Sequence, residues 1–122
     1  MTEATIYKIA PAALWDAASR AGTFDGAAVD LKDGYIHFST AAQVRETAAK
    51  HFAGQAGLVL VAVATSPLGD ALKWEPSRGG ALFPHLYAPL PTSAAQSVRP
   101  LPLGEDGSHV FPDDVALSED AA

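Results

Sequence analysis

The longest apolar run in the chain is Leu58–Ala64, with the sequence LVLVAVA. It is too short for an ordinary buried helix, and it falls well below the roughly 20 apolar residues that a membrane-spanning helix needs. A continuous apolar run of this length is typical of a strand that is covered on both faces. We therefore expect a central strand here, in a fold that packs other elements against both of its sides.

The elements around this strand indicate the fold class. Before it, the pattern predicts a strand at Thr5–Ile9, a helix at Ala12–Ala21, a loop at Thr23–Asp33, a strand at Tyr35–Ser39 and a helix that begins after Thr40. After it, short strands and prolines dominate. A doubly wound fold would keep alternating strands and helices to its end. The sequence therefore predicts an α+β fold with a mixed, mostly antiparallel sheet and two helices near the N-terminus.

The length of 122 residues suits one domain, and we expect residues 1–112 to form it. Residues 113–122 form a short, acidic segment that is poor in residues able to anchor it, so we expect a disordered tail. The chain has no cysteine, and its N-terminus lacks the basic and apolar regions of a signal peptide. Both features agree with a cytoplasmic protein.

The formal net charge of −6 restricts the partners. Nucleic-acid binding needs clustered lysine and arginine, so we expect no stable nucleic-acid complex, and the absence of a long apolar segment argues against a membrane. A local pocket for one small anion is compatible with this charge. Without cysteine, a metal site would use histidines and carboxylates; His37, His85 and Glu75 are too widely separated to form a motif, and we predict no metal.

One candidate site segment is Gly34–Thr40, GYIHFST. Side chains alternate between the two faces of a strand, which places Ile36 and Phe38 on one face and His37 and Ser39 on the other. The apolar pair belongs to the core. We predict that His37 is a catalytic group and that Ser39 contacts the substrate.

This strand passes directly into a predicted helix. Thr40 and Gln43 have the spacing of a capping box, and Val44, Ala48 and Phe52 follow on one helical face. Backbone N–H groups in the first turn of a helix favour anions. We therefore include Thr40 among the candidate substrate-binding residues.

The second candidate segment is WEPSRGGALFPHLYAPL, which begins at Trp74. A carboxylate beside a large aromatic residue can have a raised pKa, so Glu75 is a candidate acid or base. Arg78 suits bidentate binding of a carboxylate or phosphate. His85 is a candidate catalytic group, and Tyr87 a candidate substrate contact on the same strand face. Pro84, directly before His85, favours an edge strand or a bulge at this place. We predict that this segment and Gly34–Thr40 line one cleft.

Structural interpretations of the same residues stay open. For His37 the alternative is a satisfied buried histidine, with the hydroxyls after it only capping the helix. Glu75 has an ion pair with Arg78 as its alternative role. For the last pair, the alternative is a surface His85 beside a buried Tyr87.

Five segments together carry a family resemblance. In this order they resemble the bacterial domain of unknown function family 952, over about residues 5–112; some members of that family are labelled as glutathione S-transferase related, although the chain lacks a thioredoxin-like βαβ pattern. The segments are IYKI, ALWDAA, DGYIHFSTAAQV, LVLVAV and WEPSRGGALFPHLYAPL.

The resemblance implies a split, mostly antiparallel sheet similar to the ADP-ribosylation fold, whose members bind NAD in a cleft. His37, Ser39 and Thr40 resemble the aromatic-Ser-Thr strand motif of that group, and Glu75 resembles its late glutamate. Lys8 stands where the group has histidine or arginine on an early strand, a departure that bears on ribose binding. NAD is therefore a cofactor that the resemblance implies rather than one that the residues specify.

Taken together, the sequence predicts a small protein with a cleft for a nucleotide or anionic metabolite. ADP-ribosyl transfer and phosphoryl transfer are the reactions that such a cleft suggests. The alternative is a non-catalytic ligand-binding or structural domain. The residues leave open whether the protein is an enzyme, and they do not specify its oligomeric state.

Overall fold

We describe the protein from a computed structural model over residues 5–77 and 80–112. Arg78 and the predicted tail at 113–122 lie outside these described residues. Two short 3₁₀ turns occur at Ser66–Ala71 and Thr92–Ala94. The helices and strands, in chain order, are β1 (Thr5–Pro11), α1 (Ala12–Ala21), β2 (Thr23–Phe24), α2 (Ala28–Asp33), β3 (Ile36–His37), α3 (Ala41–His51), β4 (Leu58–Ala64), β5 (Leu72–Ser77), β6 (Ala81–Leu86), β7 (Leu90–Pro91) and β8 (Ala95–Leu101).

The strands form two three-stranded sheets, ordered β1-β4-β8 and β3-β6-β5, and a small ribbon of β2 and β7. Each of these strand pairs is antiparallel. The predicted α+β class with a mostly antiparallel sheet is confirmed.

The apolar run lies where the sequence predicted, because β4 is the middle strand of its sheet. Val61 and Val63 pack with Ile6 in one buried cluster, whereas Leu58 and Leu60 pack in a second cluster with apolar residues of α3. The strand is therefore covered on both faces. In the part of the chain that the structure describes, no helix has the length and apolar character needed to cross a bilayer.

The chain after α2 joins the two three-stranded sheets. Its first part, β3, pairs with β6, and this pairing ends with the amide of Phe38 donating to the carbonyl oxygen of Pro84 at 3.0 Å. The next residue, Ser39, instead exchanges two backbone hydrogen bonds with Tyr7 of β1, at 2.7 and 2.9 Å. One short segment thus leaves one sheet and continues along the other.

This junction explains an incorrect prediction. Pro84 favoured an edge strand or a bulge, but β6 is the middle strand of its sheet and pairs with both neighbours without a register shift. A proline has no N–H to donate, which normally excludes it from such a position. The N–H that Pro84 lacks would face Phe38 on the neighbouring chain segment. After Phe38 this segment leaves β6 and turns towards β1. Pro84 is therefore tolerated because the pairing that it would interrupt already ends there.

The predicted loop at Thr23–Asp33 is wrong, since it contains β2 and the helix α2. The prediction of two helices near the N-terminus was accordingly incomplete. With six residues, α2 is too short to show a helical period in its apolar residues. Its start is fixed by the carboxylate of Asp30, which accepts a hydrogen bond from the amide of Ala27 at 2.7 Å.

Helix α3 has the predicted capping box. The amide of Gln43 donates to the hydroxyl of Thr40 at 3.3 Å, and the side chain of Gln43 accepts from the amide of Thr40 at 3.0 Å. Val44 and Ala48 are buried against the first sheet, as the helical pattern predicted. Thr40 therefore has a structural role, and its proposed contact with a substrate stays a prediction.

Candidate functional site

A pocket of about 470 Å³ lies beside the segment that joins the sheets. Ile36 and Phe38 are buried in the core, and Tyr35, His37 and Ser39 line the pocket, as the alternation of the strand predicted. Phe38, although buried, also contributes to the pocket lining. The volume lies within the range of small-molecule sites. The remaining walls come from β1, α2, α3 and the end of β5, through residues that include Tyr7, Val29, Asp33, Thr47, His51, Phe52 and Ser77.

His37 is held at this pocket by two carboxylates. Its Nδ1 lies 2.6 Å from Oδ1 of Asp30, and its Nε2 lies 3.0 Å from Oδ2 of Asp33. A neutral imidazole carries one proton, so the ring donates to both carboxylates only in its doubly protonated form. In that form His37 is a proton donor whose side chain keeps 13% of its surface exposed.

Behind His37 lies a buried ion pair that the sequence analysis missed. Nζ of Lys8 lies 2.8 Å from Oδ2 of Asp30, and both side chains are almost fully buried. Burial alone would raise the pKa of Asp30, but the hydrogen bond from His37 and the charge of Lys8 outweigh it and hold this pKa well below its ordinary value. Asp30 is therefore ionised across the physiological pH range.

No sequence signal marked Asp30 as a site residue. It fell in a segment predicted to be a loop, and its partner on β1 is 22 residues away. The available clue was Lys8, a charged residue in a strand whose neighbours are apolar. A lysine at that position needs a buried anion, but nothing in the sequence shows which carboxylate provides it.

A second hydrogen-bonded group lies on β5 and β6. Oε1 of Glu75 lies 2.8 Å from Nδ1 of His85 and accepts from the hydroxyl of Tyr87 at 2.7 Å. These bonds, first that from Tyr87, lower the pKa of Glu75, so the raised pKa that the sequence predicted for this carboxylate is wrong. The bond to Glu75 raises the pKa of Tyr87 to about 12. His85 is 2% exposed and Tyr87 is 44% exposed, so the alternative of a surface histidine and a buried tyrosine is wrong.

Tyr35 connects the two groups. Its ring centroid lies 4.6 Å from that of His37, 4.2 Å from that of His85 and 5.1 Å from that of Tyr87. His37 and His85 are also direct partners across β3 and β6, with ring centroids 5.5 Å apart. The two segments that we predicted to meet are therefore adjacent in space.

The predicted residues nevertheless do not all face one cavity. His37 and Ser39 line the pocket of about 470 Å³, whereas Glu75, His85 and Tyr87 are not among the described residues that line it. Tyr87 instead lines a shallower groove of about 350 Å³. Ser39 is buried, with its hydroxyl 3.0 Å from that of Thr47, so it also ties the strand to α3.

The bond between Tyr87 and Glu75 gives a prediction for alkaline pH. Because the pKa of Tyr87 is raised to about 12, its ring should stay protonated where an ordinary tyrosine, with a pKa of 10.0, already ionises. Glu75→Gln removes the negative charge, so the titration midpoint of Tyr87 should fall towards 10. Ultraviolet difference titration of the three tyrosines, with Tyr87→Phe to assign the signal, measures this. An unchanged midpoint in Glu75→Gln would contradict the described hydrogen bond.

Comparison with known sequences identifies the family. A sequence model of the family described as "Protein of unknown function (DUF952)" matches residues 9–98. The chain belongs to this family. The match extends from β1 to β8 and includes Asp30 and the predicted site residues from His37 to Tyr87, whereas Lys8 immediately precedes it. The membership in DUF952 that the five sequence segments suggested is confirmed.

The DUF952 chain is also similar to solved structures of protein CC0527 from Caulobacter crescentus. The crystal structure is 56% identical in sequence, covers 93% of this chain and 99% of that chain, and has a TM-score of 0.87. The solution NMR structure of CC0527 is 56% identical, covers 93% of this chain and 97% of that chain, and has a TM-score of 0.82. Comparison with curated proteins gives no match.

Proposed function

We propose that the protein binds a nucleotide or a related ribose-containing metabolite in the pocket beside β3, and that His37 exchanges a proton with it. The observation that carries this proposal is the chain of contacts from Lys8 through Asp30 to His37. The imidazole of His37 lines the pocket and is the most exposed of these three side chains. A buried ion pair is weak evidence for stability, because its desolvation offsets most of its attraction. A carboxylate with a strongly lowered pKa that contacts a histidine in a cleft instead favours a functional site.

The lining of the pocket indicates the ligand class. Carboxylate and hydroxyl groups, such as those of Asp33 and Ser77, pair well with the hydroxyls of a ribose. Tyr35 and Phe52 offer apolar and aromatic surface for a base. In its doubly protonated form, His37 would offer a positive charge to a phosphate in this pocket. The anion-binding role of Arg78 stays a prediction.

The resemblance to the ADP-ribosylation fold supports NAD and ADP-ribose as the first ligands to test. Within this proposal, His37 and Asp33 contact the ribose hydroxyls, and the serine and threonine after His37 position the strand. Roles for Glu75 and His85 require a ligand that extends past Tyr35, because this ring stacks on His85. The reaction proposed for such a ligand is transfer of its ADP-ribosyl or phosphoryl group.

A specific observation favours the alternative, in which part of the network has only a structural role. Glu75 is hydrogen-bonded to both His85 and Tyr87, and His85 is almost completely buried. This second group therefore satisfies its own hydrogen bonds. In this alternative it braces the β5–β6 hairpin, and His37→Asn lowers stability without affecting any ligand.

Calorimetric titration with NAD, ADP-ribose, nicotinamide and inorganic phosphate tests the proposal. His37→Asn should weaken binding of the ribose-containing ligands at least about tenfold, as expected for a lost hydrogen bond to a charged group. His109→Asn is the matched control, because His109 contacts the carbonyl oxygen of Gln55 and does not line this pocket. Equal affinity in both variants, or no binding of the four ligands to the wild type, would refute the proposal.

A further inference from the structure

We infer that Asp30 is a positioning residue that holds both α2 and the imidazole of His37 in place. The wall of the pocket that α2 forms is therefore held by an ion pair and hydrogen bonds rather than by apolar packing. The inference concerns the protein without ligand. It therefore stands or falls independently of the proposed function.

The exposure of α2 is unusual for a packed helix. Short helices normally attach through an apolar stripe. In α2, however, Val29 is 50% exposed and Leu31 is 66% exposed, whereas Asp30 is 2% exposed. Asp30 is the one buried residue among the six of this helix. Among the side chains of α2, the buried contacts with the body of the protein are therefore made by the carboxylate of Asp30, whereas Asp33 contacts His37 from a partly exposed position.

That carboxylate contacts two different strands. Nζ of Lys8, on β1, lies 2.8 Å from Oδ2 and 3.0 Å from Oδ1 of Asp30. On β3, Oδ1 accepts from the backbone amide of His37 at 3.0 Å and lies 2.6 Å from Nδ1 of its ring. Since the same oxygen contacts the backbone and the ring of His37, it fixes both the strand and the orientation of the imidazole.

Glycines flank α2 at both ends. Gly26 has φ of +118° and Gly34 has φ of +90°, which are conformations that residues with a side chain rarely adopt. A Cβ atom at Gly26 would also lie 2.7 Å from the Cβ of Asp30. Glycine at this position thus allows the turn before α2 to bring the carboxylate inward.

Opening of α2 would change the pocket and the histidine at the same time. The helix contributes Val29 and Asp33 to the pocket lining, and Asp33 is the partner of Nε2 of His37. If α2 moved away, both ring nitrogens would lose their carboxylate partners. The position of this wall and the hydrogen-bonded contacts of the His37 ring are therefore coupled through Asp30.

Two variants on the same helix separate this role from a general loss of stability. Asp30→Asn and Asp33→Asn each neutralise one carboxylate that contacts His37, but Asp30 alone is buried against β1. Amide hydrogen exchange is measured by NMR at Leu31 and Gly34, whose N–H groups bond within α2, and is compared with exchange in β4. The ¹⁵N shifts of the His37 ring report which nitrogen has lost its partner.

In Asp30→Asn, exchange at Leu31 and Gly34 should rise at least about tenfold more than in β4, together with a shift of Nδ1 of His37. In Asp33→Asn, Nε2 should shift while exchange in α2 stays within about twofold of the wild type. Equal effects of the two variants on α2, or equal increases in α2 and β4, would overturn the inference.

Lys8→Met provides the same test if Asp30→Asn does not fold. It removes one partner of the carboxylate and leaves the contacts with His37 in place. Exchange in α2 should again rise more than in β4, by a smaller factor than in Asp30→Asn. A rise confined to β4, or no rise in either element, would overturn the inference.

Discussion

Replacing Asp30 by asparagine should lower the free energy of unfolding by about 3 kcal/mol, the largest effect that we expect from a polar substitution in this protein. The variant keeps the shape of the side chain but leaves the ammonium of Lys8 buried opposite a neutral amide. We expect the lower end of the usual 3–5 kcal/mol range, because opening of α2 would let water reach Lys8. Urea denaturation at pH 7 measures the loss.

Two control variants establish the cause of this loss. Lys8→Met combined with Asp30→Asn removes the buried charge that the single variant leaves, so the double variant should recover at least about half of the loss. Asp33→Asn neutralises a partly exposed partner of the same histidine and should cost less than about 1 kcal/mol. A double variant that is as unstable as the sum of its single substitutions would contradict the ion-pair explanation.

The low pKa of Asp30 also fixes the direction of a pH dependence. A carboxyl group whose pKa is lower in the folded than in the unfolded protein stabilises the fold above its ordinary pKa, which is 3.8 for Asp30. This contribution is lost as the pH falls from about 5 through 3.8 and below. The unfolding free energy of the wild type should therefore decrease in this range more steeply than that of Asp30→Asn.

Phe38→Ala should lower the free energy of unfolding by about 4 kcal/mol, the second large effect that we expect. Phe38 is 1% exposed and packs in the core cluster beneath the segment that joins the two sheets. Its removal should leave a cavity directly behind His37 and Ser39, which lie on the pocket side. Chemical denaturation measures the stability, and the NMR signals of His37 report whether the strand has moved.

An exposed apolar residue on the neighbouring hairpin serves as the control for Phe38. Leu82 is 52% exposed, so Leu82→Ala should change the unfolding free energy by about 0.5 kcal/mol or less. Phe38→Ala would contradict the described packing if it cost as little as Leu82→Ala.

Local patterns were sufficient to predict part of the site. The alternation of Tyr35–Ser39 correctly placed Ile36 and Phe38 in the core and His37 and Ser39 at the pocket, because one side of a strand that covers a core must be apolar. We predicted that the two site segments would be adjacent because both place several polar side chains on otherwise apolar strands. The segment WEPSRGGALFPHLYAPL does contain a strand that pairs with β3.

What the sequence did not reveal depends on contacts between distant residues. Asp30 is important because Lys8 and His37 come to it from two different strands, and its own helix is too short to show a period. Pro84 was misassigned for a similar reason. Its place in a middle strand is acceptable only because the neighbouring strand ends its pairing there, which is a property of the two-sheet arrangement and not of the local sequence.

The most direct test of the central claim is to add NAD or ADP-ribose stepwise to the protein and to follow the NMR signals of its four histidine side chains. The imidazole signals of His37 and His51 should shift on addition of ligand, because both residues line the pocket. The signal of His109, which does not line it, should stay constant. A shift of His109 alone, or no shift of His37 at millimolar ligand, would show that this pocket is not a site for ribose-containing metabolites.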